Sequence, residues 1–141
     1  MKLYVYTDGA SRGNPGESAS GYMIMDTWHT PLYRHVFYNG RCTNNVAEYK
    51  AIISALKKAL GMGKDGVELV LASDSRLVIN QLAGKYKVKD RELKKLNAAA
   101  RSLLKKFQKY ELLNVPRENK HVASVDAELN SFLDSEVQDK V

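Results

Sequence analysis

The chain has 141 residues, enough for one ordinary hydrophobic core and too few for two, so we expect a single domain spanning 1–141. No apolar run approaches the length of a membrane span and the N-terminus does not look like a signal peptide, so we expect a cytoplasmic protein with no membrane partner. We also expect a monomer. The single cysteine, Cys42, excludes an intramolecular disulfide and a Cys-type zinc site.

Positive charge is concentrated in one part of the chain. The formal net charge is +6, yet residues 85–120 contain twelve Lys or Arg against four Asp or Glu, which leaves an acidic remainder. An acidic pocket beside a basic flank is what a metal-dependent enzyme acting on nucleic acid would need. A solvated helix with lysines on its outer face would explain part of the same charge.

Hydrophobic patterning predicts five strands and four helices in a mixed α/β sheet with helices on its faces. The predicted strands cover 2–7, 21–26, 32–38, 67–72 and 110–115. The predicted helices cover 45–60, 75–82 and 90–107, with a last helix from Ser124 onward. A glycine-rich loop is expected between the first two strands, and Ser124 is a plausible N-cap for the last helix.

Three carboxylates stand at positions from which they could converge. Asp8 and Asp74 each follow an apolar strand, where open α/β sheets place their ligands, and Glu48 lies in the first turn of a helix. Such a cluster repels itself unless divalent cations neutralise it. Taken singly, Asp8 could be a turn residue, Asp74 a helix N-cap, and Glu48 the partner of Asn45 in a capping box.

The residues that flank these acids carry a specific resemblance. Thr7-Asp-Gly-Ala-Ser-Arg-Gly-Asn-Pro-Gly16, Thr43-Asn-Asn-Val-Ala-Glu-Tyr49 and Ser73-Asp-Ser-Arg-Leu-Val-Ile-Asn-Gln-Leu82 follow in this order. They closely resemble the three central motifs of type 1 ribonuclease H, and the chain looks most like the short bacterial and archaeal forms. The resemblance covers nearly the whole chain.

The resemblance implies a ribonuclease H-like fold, a five-stranded mixed sheet flanked by helices on both faces. It also implies a metal-dependent endonuclease that cleaves the RNA strand of RNA–DNA hybrids and leaves 5′-phosphate and 3′-hydroxyl ends. Two Mg²⁺ or Mn²⁺ ions would be held by Asp8, Glu48 and Asp74, with Asp126 as the fourth carboxylate. The resemblance leaves open whether double-stranded RNA is a second partner.

Further residues match substrate-binding positions of the family. The Gly9, Ala10 and Ser11 main chain, with Asn14, Asn44 and Asn45, matches positions that follow the sugar-phosphate backbone and sense the 2′-hydroxyl. Arg41 and Thr43 match a site that grips a DNA phosphate, although ordinary loop residues before a helix are an alternative. The chain has no tryptophan-rich basic protrusion, so we expect Lys85, Lys87 and Lys89 to supply hybrid affinity.

Asp126 departs from the family spacing. Ala123 stands roughly where the family has its fourth acid, and an early helix start would move the carboxylate of Asp126 about 4.5 Å along the axis. We therefore expect a longer loop, with Ser124 capping a helix whose first turn contains Asp126. The alternative is a first-turn acid that complements the helix dipole. His121, in the preceding loop, matches loosely a histidine that relays a proton.

Two other functions compete with hybrid cleavage. A protein of the same fold with a displaced fourth acid could bind hybrids or double-stranded RNA and have little or no turnover. A resolvase or integrase of the same acidic-cluster fold is disfavoured by the stretch from Thr43 to Glu48.

Overall fold

The computed structural model describes residues 1–63 and 65–139, and its five strands form one mixed sheet. The strands are β1 (Lys2–Gly13), β2 (Gly16–Met25), β3 (Pro31–Cys42), β4 (Glu68–Ser73) and β5 (Lys109–Asn114). Their spatial order is β3-β2-β1-β4-β5. The pairs β1–β2 and β2–β3 are antiparallel, whereas β1–β4 and β4–β5 are parallel.

Helices cover both faces of the sheet, which confirms the predicted fold class. They are α1 (Asn44–Leu60), α2 (Arg76–Leu82), α3 (Arg91–Leu104) and α4 (Lys120–Asp139). On one face Val5 and Leu71 are buried together with apolar residues of α1 and α3. On the other face Tyr6 and Met23 pack with Val122 and Val125 of α4. Within the described ranges, no helix is long and apolar enough to cross a membrane.

The predicted glycine-rich loop is wrong, because β1 runs through it. Residues 9–11 pair with 18–20 of β2, and a tight hairpin closes at the Gly13–Gly16 pair. Small side chains and the left-handed φ of 105° at Gly13 permit this hairpin. Asp8 is therefore inside a strand. It still lies just beyond the end of the parallel pairing, since β4 ends at Ser73 opposite Thr7.

The last helix begins earlier than predicted. The side-chain oxygen of Asn119 accepts hydrogen bonds from the main-chain N–H groups of His121 at 3.0 Å and Val122 at 3.2 Å. Asn119 is therefore the N-cap, and asparagine is among the best residues for that role. Ser124 lies inside α4, where its hydroxyl accepts a hydrogen bond from Arg34 at 2.7 Å. The expectation of a longer loop capped by Ser124 is wrong.

Asn119→Ala should lower the free energy of unfolding by about 0.5–2 kcal/mol, because it removes the cap of α4. Ser124→Ala is the control and should cost less, because its bond to Arg34 is exposed. Urea denaturation of both variants measures the difference. A larger loss for Ser124→Ala would contradict the observed start of α4.

Candidate active site

Three of the predicted acids converge at one place. Asp8, Glu48 and Asp74 each offer a carboxylate oxygen, and these oxygens lie within 4.8 Å of one another. Asp8 and Glu48 are only 4% and 5% exposed, and Asp74 is half-buried. Three separate elements supply them: β1, α1 and the turn after β4. The predicted convergence is therefore present.

The position of Glu48 depends on a close contact between α1 and β1. A Cβ atom on Gly9 would lie 2.4 Å from the main-chain carbonyl carbon of Ala47 and from the main-chain nitrogen of Glu48. Only glycine lets the helix lie this near the strand. The Ser20 hydroxyl also donates to the carbonyl of Ala47 at 2.6 Å. The glycine after Asp8 thus brings Glu48 to the aspartate.

Glu48 does not belong to a capping box. The N-cap of α1 is Thr43, whose hydroxyl accepts from the N–H of Val46 at 3.2 Å. Glu48 is the fifth residue of the helix, so its placement in the first turn is also corrected. Its carboxylate instead accepts hydrogen bonds from the Gly9 N–H and from the Ser73 hydroxyl, the latter at 3.5 Å.

Asp74 is likewise free of the helix-capping role. Ser75 caps α2, and its hydroxyl accepts from the N–H of Val78 at 3.2 Å. The carboxylate of Asp74 lies 4.0 Å from Nε of Arg117, a residue in the connection between β5 and α4. Arg117 is largely exposed, so this ion pair is weak in water. The Asp74 side chain therefore points to the carboxylate cluster.

Asp126 lies beside Asp8 although α4 begins early. Its carboxyl group is near enough to raise the pKa of Asp8, but it is not one of the three acids whose oxygens lie within 4.8 Å of one another. The physical reason is a second close contact: a Cβ atom on Gly21 would lie 3.0 Å from Cγ1 of Val125. Gly21 is the partner of Asp8 in the β1–β2 register, so α4 lies against the sheet beside Asp8. The early helix start thus leaves the carboxyl group of Asp126 near that of Asp8. Asp126 lies in the second turn of α4 and is not a first-turn acid, and its role as a metal ligand stays a prediction.

The electrostatics of the cluster fit a divalent cation. Burial raises the pKa of Asp8, and the nearby carboxyl groups of Glu48, Asp126 and Asp74 raise it further. Burial likewise raises the pKa of Glu48. Burial also raises the pKa of Asp74, and Arg117 opposes that shift. Buried carboxylate oxygens with so little compensating charge are the donor set that hard cations such as Mg²⁺ and Mn²⁺ prefer.

The predicted substrate residues of the hairpin and of α1 are joined in one network. The N–H of Ser11 donates to the side-chain oxygen of Asn44 at 2.8 Å, and the N–H of Asn44 donates to that of Asn14 at 3.0 Å. A cavity of about 330 Å³ beside this network is lined by Asn14, Thr43 and Asn45, and on the side of α3 by Asp90, Glu92 and Leu93. Ala10 is half-buried on β1, and Arg41 is exposed near the end of β3.

The remaining predicted residues are three lysines and His121. Lys85, Lys87 and Lys89 are exposed on the connection between α2 and α3. His121 is in the first turn of α4, not in a loop, and its ring lies 4.6 Å from that of Tyr6 and stacks 5.8 Å from that of His29. Burial lowers the pKa of His121, and the charges of Lys120 and His29 lower it further.

Sequence reasoning missed several residues that build the site. Ser73 and Ser75 stand on either side of Asp74, and the N–H of Ser75 donates to the Ser73 hydroxyl at 3.1 Å. The alternation Ser-Asp-Ser was a usable signal, because hydroxyls next to a buried acid are natural donors to it. Gly21 had no comparable signal, since only the packing of α4 shows why it lacks a side chain.

Known proteins share this fold and its motifs. A family model described as reverse transcriptase-like matches residues 6–129. A ribonuclease HI of Halobacterium salinarum is 39% identical over 133 residues, which make up 94% of this chain and 65% of that protein. The chain belongs to the type 1 ribonuclease H family. It spans 37% of the length of the mycobacterial proteins that it also matches, so it covers only part of these relatives.

Solved ribonuclease H structures agree with this assignment. Ribonuclease H1 from Halobacterium salinarum superposes with a TM-score of 0.87 at 38% identity, covering 96% of this chain and 99% of that chain. LC11-RNase H1, isolated from compost and solved in complex with an RNA/DNA hybrid, gives a TM-score of 0.88 at 35% identity, with the same coverages. The ribonuclease H fold is therefore confirmed for this chain.

Asp8→Asn should stabilise the protein in EDTA at neutral pH by about 0.5–2 kcal/mol, because an amide removes repulsion and can donate to neighbouring carboxylates. The raised pKa of Asp8 means that the unmodified protein loses stability as pH rises above the ordinary aspartate range. The gain should therefore grow with pH and nearly vanish below that range.

Melting curves from acid to neutral pH measure this effect. Asp65→Asn, which changes an exposed acid in the loop after α1, is the control and should leave the melting temperature unchanged. An Asp8→Asn variant that melts no higher than the unmodified protein at neutral pH would show that the carboxylates do not repel one another.

Proposed function

We propose that this chain is a metal-dependent endonuclease that hydrolyses the RNA strand of RNA–DNA hybrids. The observation that carries the proposal is the convergence of Asp8, Glu48 and Asp74 within 4.8 Å at the three family motifs. The carboxyl group of Asp126 is near enough to Asp8 to raise its pKa, which supports Asp126 as a fourth ligand. Membership of the ribonuclease H family and the likeness to a structure bound to a hybrid support it. A single domain over 1–141, a monomeric state and a cytoplasmic location remain predictions.

The four carboxylates would hold two Mg²⁺ or Mn²⁺ ions. When bound, such a pair of ions supplies an activated water and charge stabilisation for the leaving 3′ oxygen, which gives 5′-phosphate and 3′-hydroxyl ends. Asp8 and Glu48 are the buried ligands, and strand, helix and the Gly9 N–H fix their geometry. Asp74 and Asp126 are less buried and would be the ligands with more access to solvent.

The hairpin and the start of α1 would bind the RNA strand. The network of Ser11, Asn14 and Asn44 is already formed, so little entropy would be lost when it meets the substrate. Such fixed donors and acceptors suit recognition of the 2′-hydroxyl, which distinguishes RNA from DNA. The main chain at Gly9 and Ala10, together with Asn45, would complete this contact surface.

Positive side chains would bind the other parts of the hybrid. Arg41 and Thr43 are proposed for a DNA phosphate, although the hydroxyl of Thr43 already caps α1. Lys85, Lys87 and Lys89 are exposed and would contribute phosphate attraction that does not depend on sequence. His121 is a candidate proton relay, because a lowered pKa keeps its ring neutral at pH 7 and able to accept a proton.

Cleavage of a labelled RNA–DNA hybrid tests the function directly. Activity should require Mg²⁺ or Mn²⁺ and stop with EDTA, and DNA duplex and single strands should be spared. RNA duplex is included to test whether double-stranded RNA is a second substrate. Asp8→Asn, Glu48→Gln and Asp74→Asn should each lose most of the cleavage, because each removes charge that holds an ion and keeps the shape. Hybrid binding in EDTA should survive in all three.

The outcomes of this assay separate the two remaining functions. A protein that binds the hybrid but never cleaves it with either metal would be a binding protein of the same fold. Near-normal turnover of the Asp74→Asn variant would remove that residue from the metal site.

Asp126→Asn should lose activity at low Mg²⁺ and recover part of it at high Mg²⁺ or with Mn²⁺, because three other carboxylates remain. Asp134→Asn is the matched control on the same helix. Asp134 pairs with Arg12 at 2.7 Å on the surface, so this change should cost at most about 1 kcal/mol of stability and leave turnover intact. Activity measured across a range of Mg²⁺ and Mn²⁺ concentrations in both variants tests this prediction. Full activity of Asp126→Asn at every Mg²⁺ concentration would exclude Asp126 from the site.

A further inference from the structure

The edge strand β3 carries a row of aromatic rings on one face. Tyr33, His35 and Phe37 alternate along the strand and therefore point to the same side of the sheet. The rings of His35 and Phe37 are stacked with centroids 5.5 Å apart, and those of Tyr33 and His35 lie 6.2 Å apart. His35 is exposed and the other two are half-buried. The His35 ring is thus accessible at this edge, and the rings of Tyr33 and Phe37 are partly accessible.

A groove of about 450 Å³ lies between this aromatic row and the helices. His35 and Phe37 of β3 line one side, and the helices line the other with Lys50, Ile53, Ser54 and Lys57 of α1 and Leu96 of α3. Ile53 and Leu96 form its apolar floor. Among the described residues that line the groove, two are lysines and none is acidic. Lys50 and Lys57 are seven residues apart, about 10 Å along one helix face, so they place two cations along the rim.

A third cation already contacts the aromatic row. Nζ of Lys58 lies 4.1 Å from the ring centroid of Tyr33, which is a cation–π contact. The groove therefore combines flat π faces, an apolar floor and a positive rim. An apolar peptide would use the floor but would gain nothing from the lysines. A ligand with aromatic rings and negative charges uses all three features.

We propose that this groove binds single-stranded nucleic acid. One or two bases stack against His35 and Phe37, and their phosphates pair with Lys50 and Lys57. Stacking on aromatic side chains within a positive groove is how proteins bind single strands without reading their sequence. The proposal goes beyond hybrid cleavage, because the groove contains none of the residues assigned to the hybrid or to the ions.

The strand β3 also links the groove to the proposed hybrid site. It runs from the aromatic row to Arg41 and Cys42, and Thr43 follows as the cap of α1. Arg41 and Thr43 are the proposed contacts for a DNA phosphate. A single strand that extends from a hybrid could therefore enter the groove, and this link alone rests on the proposed function.

Fluorescence anisotropy with labelled 12-nucleotide single strands, one of DNA and one of RNA, tests the groove in EDTA. The double variant His35→Leu/Phe37→Leu keeps apolar side chains but removes both π faces. It should bind single strands at least about fivefold more weakly. Tyr110→Leu is the matched control, because Tyr110 is an exposed aromatic residue, 44% accessible, on the opposite edge strand β5. It should bind like the unmodified protein.

The lysines give a second, independent measurement. Lys50→Gln/Lys57→Gln should reduce the slope of affinity against salt concentration, because two phosphate contacts are lost. Cleavage of a blunt hybrid should stay unchanged in both double variants, and the melting temperature should stay unchanged in Lys50→Gln/Lys57→Gln. If the His35/Phe37 double variant melts early, His35→Leu alone replaces it, since that ring is exposed.

The outcomes separate this proposal from the proposed function. Unchanged affinity for single strands in the aromatic variants, or an equal loss of affinity in Tyr110→Leu, overturns the proposal that the groove binds single strands. Binding is measured without metal, so a protein that never cleaves hybrids but loses single-strand affinity in these variants supports the groove and refutes only the nuclease. A loss of affinity for only the DNA strand or only the RNA strand identifies which nucleic acid the groove binds.

Discussion

The whole site depends on how closely two helices approach the β1–β2 pair. On one face the main chain of α1 lies where a side chain on Gly9 would be, and on the other face Val125 of α4 lies against Gly21. Asp8 is next to Gly9 in sequence and opposite Gly21 in the sheet. The two glycines therefore let Glu48 and Asp126 reach the same aspartate from opposite sides.

Close packing of this kind also explains how a cluster of mutually repelling carboxylates is maintained in the folded protein. Each buried carboxylate costs free energy when it is charged, and neighbouring carboxylates add to that cost. The surrounding core is large: Leu3, Ile52, Leu56 and Leu71 are fully buried around α1 and β4. A rigid apolar frame can hold a repulsive arrangement that loose loops would relax, and such preorganisation is what a metal site needs.

Much of this structure could be predicted because local signals agreed with one another. Hydrophobic periodicity predicted five strands and four helices, and the motifs around Asp8, Glu48 and Asp74 predicted their convergence. The errors occurred where a local signal had two interpretations. The small residues after Asp8 read as a loop, yet they form a strand because β2 offers equally small partners. Ser124 looked like a cap, but Asn119, five residues earlier, was an equally good cap.

The fourth acid shows why such errors need not displace a site. Spacing along the sequence predicted that an early start of α4 would move Asp126 by about 4.5 Å along the axis, which assumes that the helix is fixed at its first residue. In the structure the helix is positioned by Val122, Val125 and Leu129, which pack on the sheet. Asp126 follows Val125, and Val125 is fixed by its contact with Gly21. The carboxylate is therefore positioned by packing in the second turn, and residues added before that contact lengthen the helix at its free end.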